Sequence, residues 1–182
     1  MKLLYLKHWQ LFVLIVGIPV IIRILSTTAL KNQPRVINSL FPFVLFFMMG
    51  IYFGWSYYTG TSLSKKIPDS AKMSVRRFKI MQLFPIIYIP IFGITTYLLV
   101  NFSSEGKPNQ GIIAILGLLL WVTLFACLYC IYYNSKSIKA VELQRAVTIK
   151  DYFAEFLLIL FFPIGLWVIQ PRLNAIFKSM SN

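Results

Sequence analysis

Hydrophobic positions along this chain fall into long uninterrupted runs, not into the alternation of half-buried strands or the one-sided stripe of helices facing water. Four runs stand out: residues 9–30, interrupted only by Arg23; 36–59, without a charge; 80–102; and 111–133. Each is 22 to 24 residues long, and a hydrocarbon core of about 30 Å asks roughly 20 apolar residues of a helix. The pattern predicts an all-α polytopic membrane bundle of four transmembrane helices, since lipid leaves backbone groups no partner outside the helix and no in-out alternation of barrel strands is present. A fifth apolar stretch is different. FFPIGLWVIQPRLN, residues 161–174, carries two prolines, a glycine, a glutamine and an arginine, and the apolar run from Phe156 to Ile169 has only fourteen residues. Thr148 and Asp151 have the spacing of a capping box, so a helix is expected to begin near Ile149. Pro163 and Gly165 are expected to break it, and Pro171 to turn the chain after Gln170. The result is a short, Pro/Gly-broken hydrophobic segment over about 149–174, which either crosses as a kinked fifth helix or dips in and returns.

Composition agrees: 58% of residues are hydrophobic and the mean hydropathy is +0.74, so residues 1–182 read as a single integral membrane domain. The apolar N-terminus has the look of a signal peptide, but STTALKNQ offers no small-x-small cleavage site, and it is expected to stay as the first span. Eighteen Lys and Arg stand against five acids, a net charge of +13. In a soluble module that balance suggests nucleic acid, but there is no such module here and no nucleic-acid partner is expected. The charges instead report topology. Twelve basic residues lie in the N-terminus and the connections 62–79 and 134–150, and four at the opposite ends of the spans. The positive-inside rule then places the N-terminus and those two connections in the cytoplasm. Arg172 and Lys178 agree with that bias only if the last segment returns to the side it started from.

Candidate chemistry is sparse. With His8 the only histidine and Cys127 and Cys130 the only cysteines, one chain assembles no four-ligand zinc site, and no cofactor is expected. The two cysteines form a C-x-x-C on one helix face, the basis of a thiol oxidoreductase reading, although helical i,i+3 geometry strains a disulfide. Packing cysteines explain the pair as well. Arg23 interrupts the first span and is expected to snorkel to the outer interface. Gly50 and Gly54 form G-x-x-x-G, which permits close helix approach, and Pro85 and Pro90 are expected to bend the third span. Lys65, Lys66, Arg76 and Arg77 are candidates for contact with anionic lipid headgroups. Among the acids, Asp151 and Glu155 lie one turn apart and Glu155 has no evident local role.

Four fragments, LKHWQLF at 6–12, YFGW at 52–55, KKIPDSAKMSVRRFK at 65–79 and FFPIGLWVIQPRLN at 161–174, together resemble a family of small bacterial multi-pass membrane proteins without an assigned activity. The resemblance implies a bacterial inner-membrane location and supplies no catalytic residue. It singles out Pro163, Gly165, Trp167, Gln170, Pro171, Arg172 and Asn174 as a motif of functional or structural weight. The functional expectation is an accessory, structural or regulatory component of a membrane assembly. A small transporter or channel is the alternative, and a thiol oxidoreductase using Cys127 and Cys130 the third reading. Membrane lipids, including anionic headgroups, are the expected partners, together with an unidentified membrane protein.

Overall fold

A computed structural model describes residues 6–29, 34–102 and 110–178. Among these residues there are six helices, α1 His8–Ala29, α2 Pro34–Leu63, α3 Val75–Phe102, α4 Gln110–Leu143, α5 Ile149–Leu160 and α6 Phe162–Lys178, with one turn of 3₁₀ helix at Asp69–Ala71 between α2 and α3. No strand occurs among the described residues. Residues 30–33 and 103–109, which connect the expected spans, lie outside them.

Three helical stretches, His8–Ala29, Val75–Thr95 and Ile113–Leu143, are long and apolar enough to cross a membrane. They match three of the four expected spans. The fourth expected span, 36–59, is helical within α2, and the side chains of residues 34–42 and 45 lie outside the description. The outer faces of α3 and α4 are strongly apolar, with Ile115, Leu118 and Phe125 each more than 60% exposed. In water such a surface would be an adhesive patch, whereas in lipid it is a solvated face.

The tightly packed core is displaced toward one end of the bundle. Leu11 and Ile15 of α1, Trp55 and Leu63 of α2, Ile138 of α4, Ile159 of α5 and Leu166, Ile169 and Leu173 of α6 are all buried there. Helix α1 enters this core through a five-residue π turn, Val13–Gly17, in which the Ile18 N–H donates to the Val13 carbonyl. The wider turn comes just before Pro19, whose missing N–H would interrupt an α-helical ladder.

The long helices depart from the expected bounds at this same end. Helix α4 runs ten residues past 133 to Leu143, so most of the stretch expected as a cytoplasmic connection is helix. Ile138 and Val141, one turn apart, supply the buried face that holds it. Helix α4 stops where Gln144 adopts a positive φ of 51°, and the Gln144 side chain donates to the Val141 carbonyl at 2.7 Å, doing the work that glycine usually does after a helix. Close helix approach comes from Gly60, not from Gly50 and Gly54. A Cβ on Gly60 would lie 2.6 Å from the Phe78 ring and 2.8 Å from Asn134 Oδ1, while one on Gly50 or Gly54 would meet nothing within 4 Å. The prolines of the third span, Pro85 and Pro90, lie inside a helix that continues through both.

The terminal segment is a helical hairpin. Thr148 caps α5, its N–H donating to Asp151 Oδ2 at 2.8 Å, and the helix starts at Ile149 as the capping spacing predicts. The break falls at Phe161, with φ −91° and ψ 51°, and not at Pro163–Gly165. Phe161 closes α5 by donating to the Leu157 carbonyl at 2.9 Å, and its own carbonyl accepts from Ile164 and Gly165, each at 3.0 Å, to open α6. Pro163 is the second residue of α6, where its missing N–H would have no partner within the helix anyway. Pro171 does not turn the chain either: α6 runs through it to Lys178. Pro171 lies on the exposed side of the helix, where its ring and missing N–H disturb the packed face least, while buried Gln170 and Leu173 hold the helix on either side.

Contacts from α5 to α6 pair Leu158 with Gly165 and Glu155 with Arg172, the order of two antiparallel helices. The first turn of α5 packs by Tyr152 on Tyr132 of α4, with ring centroids 5.7 Å apart. The last turn of α6 places Phe177 beneath Lys66, whose ammonium is 4.5 Å from the ring centroid. Both ends of the hairpin therefore sit where α2 and α4 end, and a single kinked helix across the bundle is not the observed form.

Candidate functional site

The motif in α6 becomes intelligible one turn at a time. At its start, Phe162 is buried between the rings of Tyr52 and Trp55, at centroid distances of 4.6 and 5.0 Å. Gly165 follows, facing α5 so closely that a Cβ there would stand 1.7 Å from the Leu158 carbonyl oxygen. Trp167 lies outward and covers His8 and Phe12 of α1, at 4.6 and 5.9 Å between centroids.

Gln170 is fully buried and joins three parts of the chain. Its Oε1 accepts from Trp55 Nε1 at 2.9 Å, and its Nε2 donates to the Leu6 carbonyl at 3.0 Å and to Asn174 Oδ1 at 3.3 Å. Asn174 Nδ2 donates to the same Leu6 carbonyl at 3.2 Å. A carbonyl just before α1 would otherwise be an unpaired acceptor against an apolar core, and two amides of α6 satisfy it. The α1 start is fixed from its own side as well, where the Lys7 N–H donates to Gln10 Oε1 at 2.9 Å. Three of the fragments noted in the sequence, at 6–12, 52–55 and 161–174, thus meet around one glutamine. Gln170→Leu keeps the volume and strands the Trp55 N–H and one carbonyl lone pair. A loss of roughly 2 to 4 kcal/mol is expected for the two buried groups, measured as resistance to denaturing detergent.

Two residues on from Gln170, Arg172 leaves the helix on a different face, toward α4 and α5. Its Nε donates to Glu142 Oε1 at 2.8 Å, and its Nη2 to Glu142 Oε2 at 2.5 Å and to Glu155 Oε1 at 2.8 Å. Lys139 Nζ completes the group, 3.2 Å from Glu155 Oε1 and 3.5 Å from Glu142 Oε2. Two cations and two anions from α4, α5 and α6 cancel in charge. Glu155 is 2% exposed, and its Oε2 is buried with no hydrogen-bond partner. The guanidinium fork is suited to this place because it grips Glu142 through two donors in one plane while also reaching Glu155, a two-pronged contact that the point charge of a lysine does not reproduce.

A second polar cluster escaped sequence reasoning. Between α2, α3 and α4, Asn134 Nδ2 donates to Ser56 Oγ at 2.8 Å and Gln82 Nε2 donates to the Phe53 carbonyl at 3.0 Å. Thr59 Oγ1, Tyr133 Oη and Asn134 Oδ1 are buried there without hydrogen-bond partners. The available signal was Gln82 alone among apolar neighbours in KIMQLFPII; Asn134 lay just past the expected end of a span and looked like loop.

The remaining candidates are not drawn into either cluster. Cys127 is half-buried and Cys130 buried, both as free thiols on α4. Arg23 is half-buried on α1, and its carbonyl accepts from the hydroxyls of Ser26 and Thr27 at 2.9 and 2.7 Å. Lys65, Arg76 and Arg77 are exposed at the end of the bundle where the hairpin terminates. Partial burial lowers the Lys66 ammonium from its ordinary value, and a hydrogen bond from Lys72 holds the Asp69 carboxyl below the usual carboxylate range. Among the described residues no three His, Cys, Asp or Glu side chains converge to hold a metal ion.

The fold and site define an all-helical protein with three helices able to cross a membrane and a terminal hairpin locked to them by polar contacts. No family model, curated protein or solved structure matches the chain.

Proposed function

We propose that this chain is a four-span protein of the bacterial inner membrane, with its N-terminus in the cytoplasm and its terminal hairpin re-entering from that side, and that it serves as an accessory, structural or regulatory component of a larger membrane assembly. The observation that carries the reading is how the motif is spent. Gln170, Arg172 and Asn174 all engage other parts of the chain, which makes the hairpin a rigid fixture of the bundle and not a reactive centre. The outward face of α2 and α3 suits a partner helix: Gly50 and Gly54 line a cleft of about 370 Å³ with Phe53, Tyr57, Ile86 and Ile89, and small residues let another backbone approach closely.

Purification in mild detergent tests this. A stoichiometric membrane-protein partner is expected with the wild-type chain and should be lost from Gly50→Leu/Gly54→Leu; a partner-free monodisperse chain with turnover would sink the proposal. Topology has its own measurement. A cysteine at residue 178, in a Cys127→Ser/Cys130→Ser background, should react with an impermeant maleimide only after the cytoplasmic side is opened, and labelling in intact spheroplasts would reject re-entry.

A small transporter or channel is the second reading, favoured by the three unpartnered polar atoms between α2, α3 and α4, since polar groups at membrane depth can mark a path for solute. Proteoliposomes that pass no ion or small solute above background would remove it.

A further inference from the structure

Between the last turns of α4 and the first turn of α5 lies an open cavity of about 830 Å³, lined by Tyr132, Lys136, Val147, Thr148, Lys150 and Tyr152 with Ile149 at its edge. Its floor is aromatic, the Tyr132 and Tyr152 rings meeting edge to face. Lys136 is half-buried against that floor, its ammonium donating to Tyr132 Oη at 3.1 Å and lying 5.5 Å from the ring centroid. Among the described residues neither Lys136 nor Lys150 has a carboxylate partner. Asp151, next to Lys150 in the chain, is already committed: the Thr148 N–H and hydroxyl hold its carboxyl below the usual range, and Arg145 pairs with it at 3.2 Å. The cavity therefore keeps two uncompensated cations beside a wall of aromatic and aliphatic carbon.

Directly along α5 from this cavity, Ile149, Phe153 and Leu157 stand one turn apart on an exposed face, Ile149 at 68% and Phe153 at 53%. Cations at one end and a bare apolar stripe running from them match a molecule with an anionic head and a hydrocarbon tail. Inorganic phosphate would use only the first half of that surface. We propose that this cavity binds the phosphate of an anionic phospholipid, with Lys136 and Lys150 on the headgroup and an acyl chain along Ile149, Phe153 and Leu157. The inference rests on the membrane reading above and names a site apart from the Lys65, Lys66, Arg76 and Arg77 loop.

The full chain, purified in an uncharged detergent, is titrated with dioleoylphosphatidylglycerol, dioleoylphosphatidylcholine or inorganic phosphate, and bound lipid is counted by native mass spectrometry. Saturable binding of the anionic lipid is expected, weakened about tenfold in Lys136→Gln/Lys150→Gln, retained in Lys136→Arg/Lys150→Arg, and unchanged in Lys65→Gln/Arg76→Gln. Equal binding by the glutamine pair and the wild type overturns the site, as do equal losses in the glutamine and arginine pairs or equal binding of the zwitterionic lipid. Inorganic phosphate displacing the lipid at similar concentration overturns the lipid as occupant. A wild-type chain that fractionates as soluble without detergent fails the membrane reading itself, an outcome distinct from any effect of the lysine variants.

Discussion

Arg172→Met is expected to cost about 3 to 5 kcal/mol, the range for breaking a buried ion pair from one side. The reason is asymmetric. With the guanidinium gone, Glu155 keeps only Lys139 at 3.2 Å, while its Oε2 is already without a partner. A carboxylate 2% exposed between helices then has one ion pair to offset its desolvation. Glu142 suffers less, being partly exposed and within 3.5 Å of Lys139. The companion variant Arg172→Met/Glu155→Leu removes the buried charge with its partner, and apolar packing of similar volume should recover most of the loss. Arg172→Lys should fall between, since an ammonium keeps the charge but not the two-pronged contact with Glu142. Unfolding in a denaturing-detergent titration reads all three. Equal stability of wild type and Arg172→Met would show that the four charges do not hold the hairpin, and a double variant as weak as the single would show that Arg172 acts through packing alone.

This cluster also marks the boundary of what the sequence disclosed. Helix α5 was legible to its first residue because capping is local: Thr148 and Asp151 are three residues apart and make their contact without help from the rest of the fold. A return of the chain within 149–174 was one of two forms that the sequence left open, and the antiparallel pairing of α5 with α6 comes from contacts, Leu158 with Gly165 and Glu155 with Arg172, that no local pattern announces. The pairing of Arg172 with Glu142 was not legible either, because thirty residues and a hairpin separate them. Glu142 belonged to a stretch expected as loop, although Ile138 and Val141 at helical spacing in SIKAVEL were signal enough to extend α4.

Local propensity misled where tertiary contact decided. Pro163, Gly165 and Pro171 are helix breakers by composition, and all three lie inside α6. The Gly50 and Gly54 pair had the expected spacing for close approach, yet faces open space, while Gly60, without a motif, sits against Phe78 and Asn134. A glycine's value depends on what stands opposite, and periodicity carries no information about that.

Gly165 gives this its sharpest test, because two physical effects predict opposite signs. Helix propensity alone favours Gly165→Ala by about 1 kcal/mol, since alanine loses less backbone entropy. The hairpin opposes it: the new Cβ would stand 1.7 Å from the Leu158 carbonyl oxygen and 2.4 Å from its carbon, both backbone atoms. No rotamer relieves an overlap with backbone, so α5 and α6 must separate, and the Glu155–Arg172 contact at 2.8 Å separates with them. Overpacking a side chain typically costs about 1 to 3 kcal/mol; displacing a helix and stretching an ion pair should exceed that range, so the clash wins. Gly54→Ala is the matched control, a helix-interior glycine whose Cβ meets nothing within 4 Å, and the purified chain should tolerate it or gain slightly. Denaturing-detergent titration of both variants, with limited proteolysis around Phe161 as the local readout, separates the effects. If Gly165→Ala is as stable as wild type and no more readily cut, the hairpin does not close as tightly as its geometry requires.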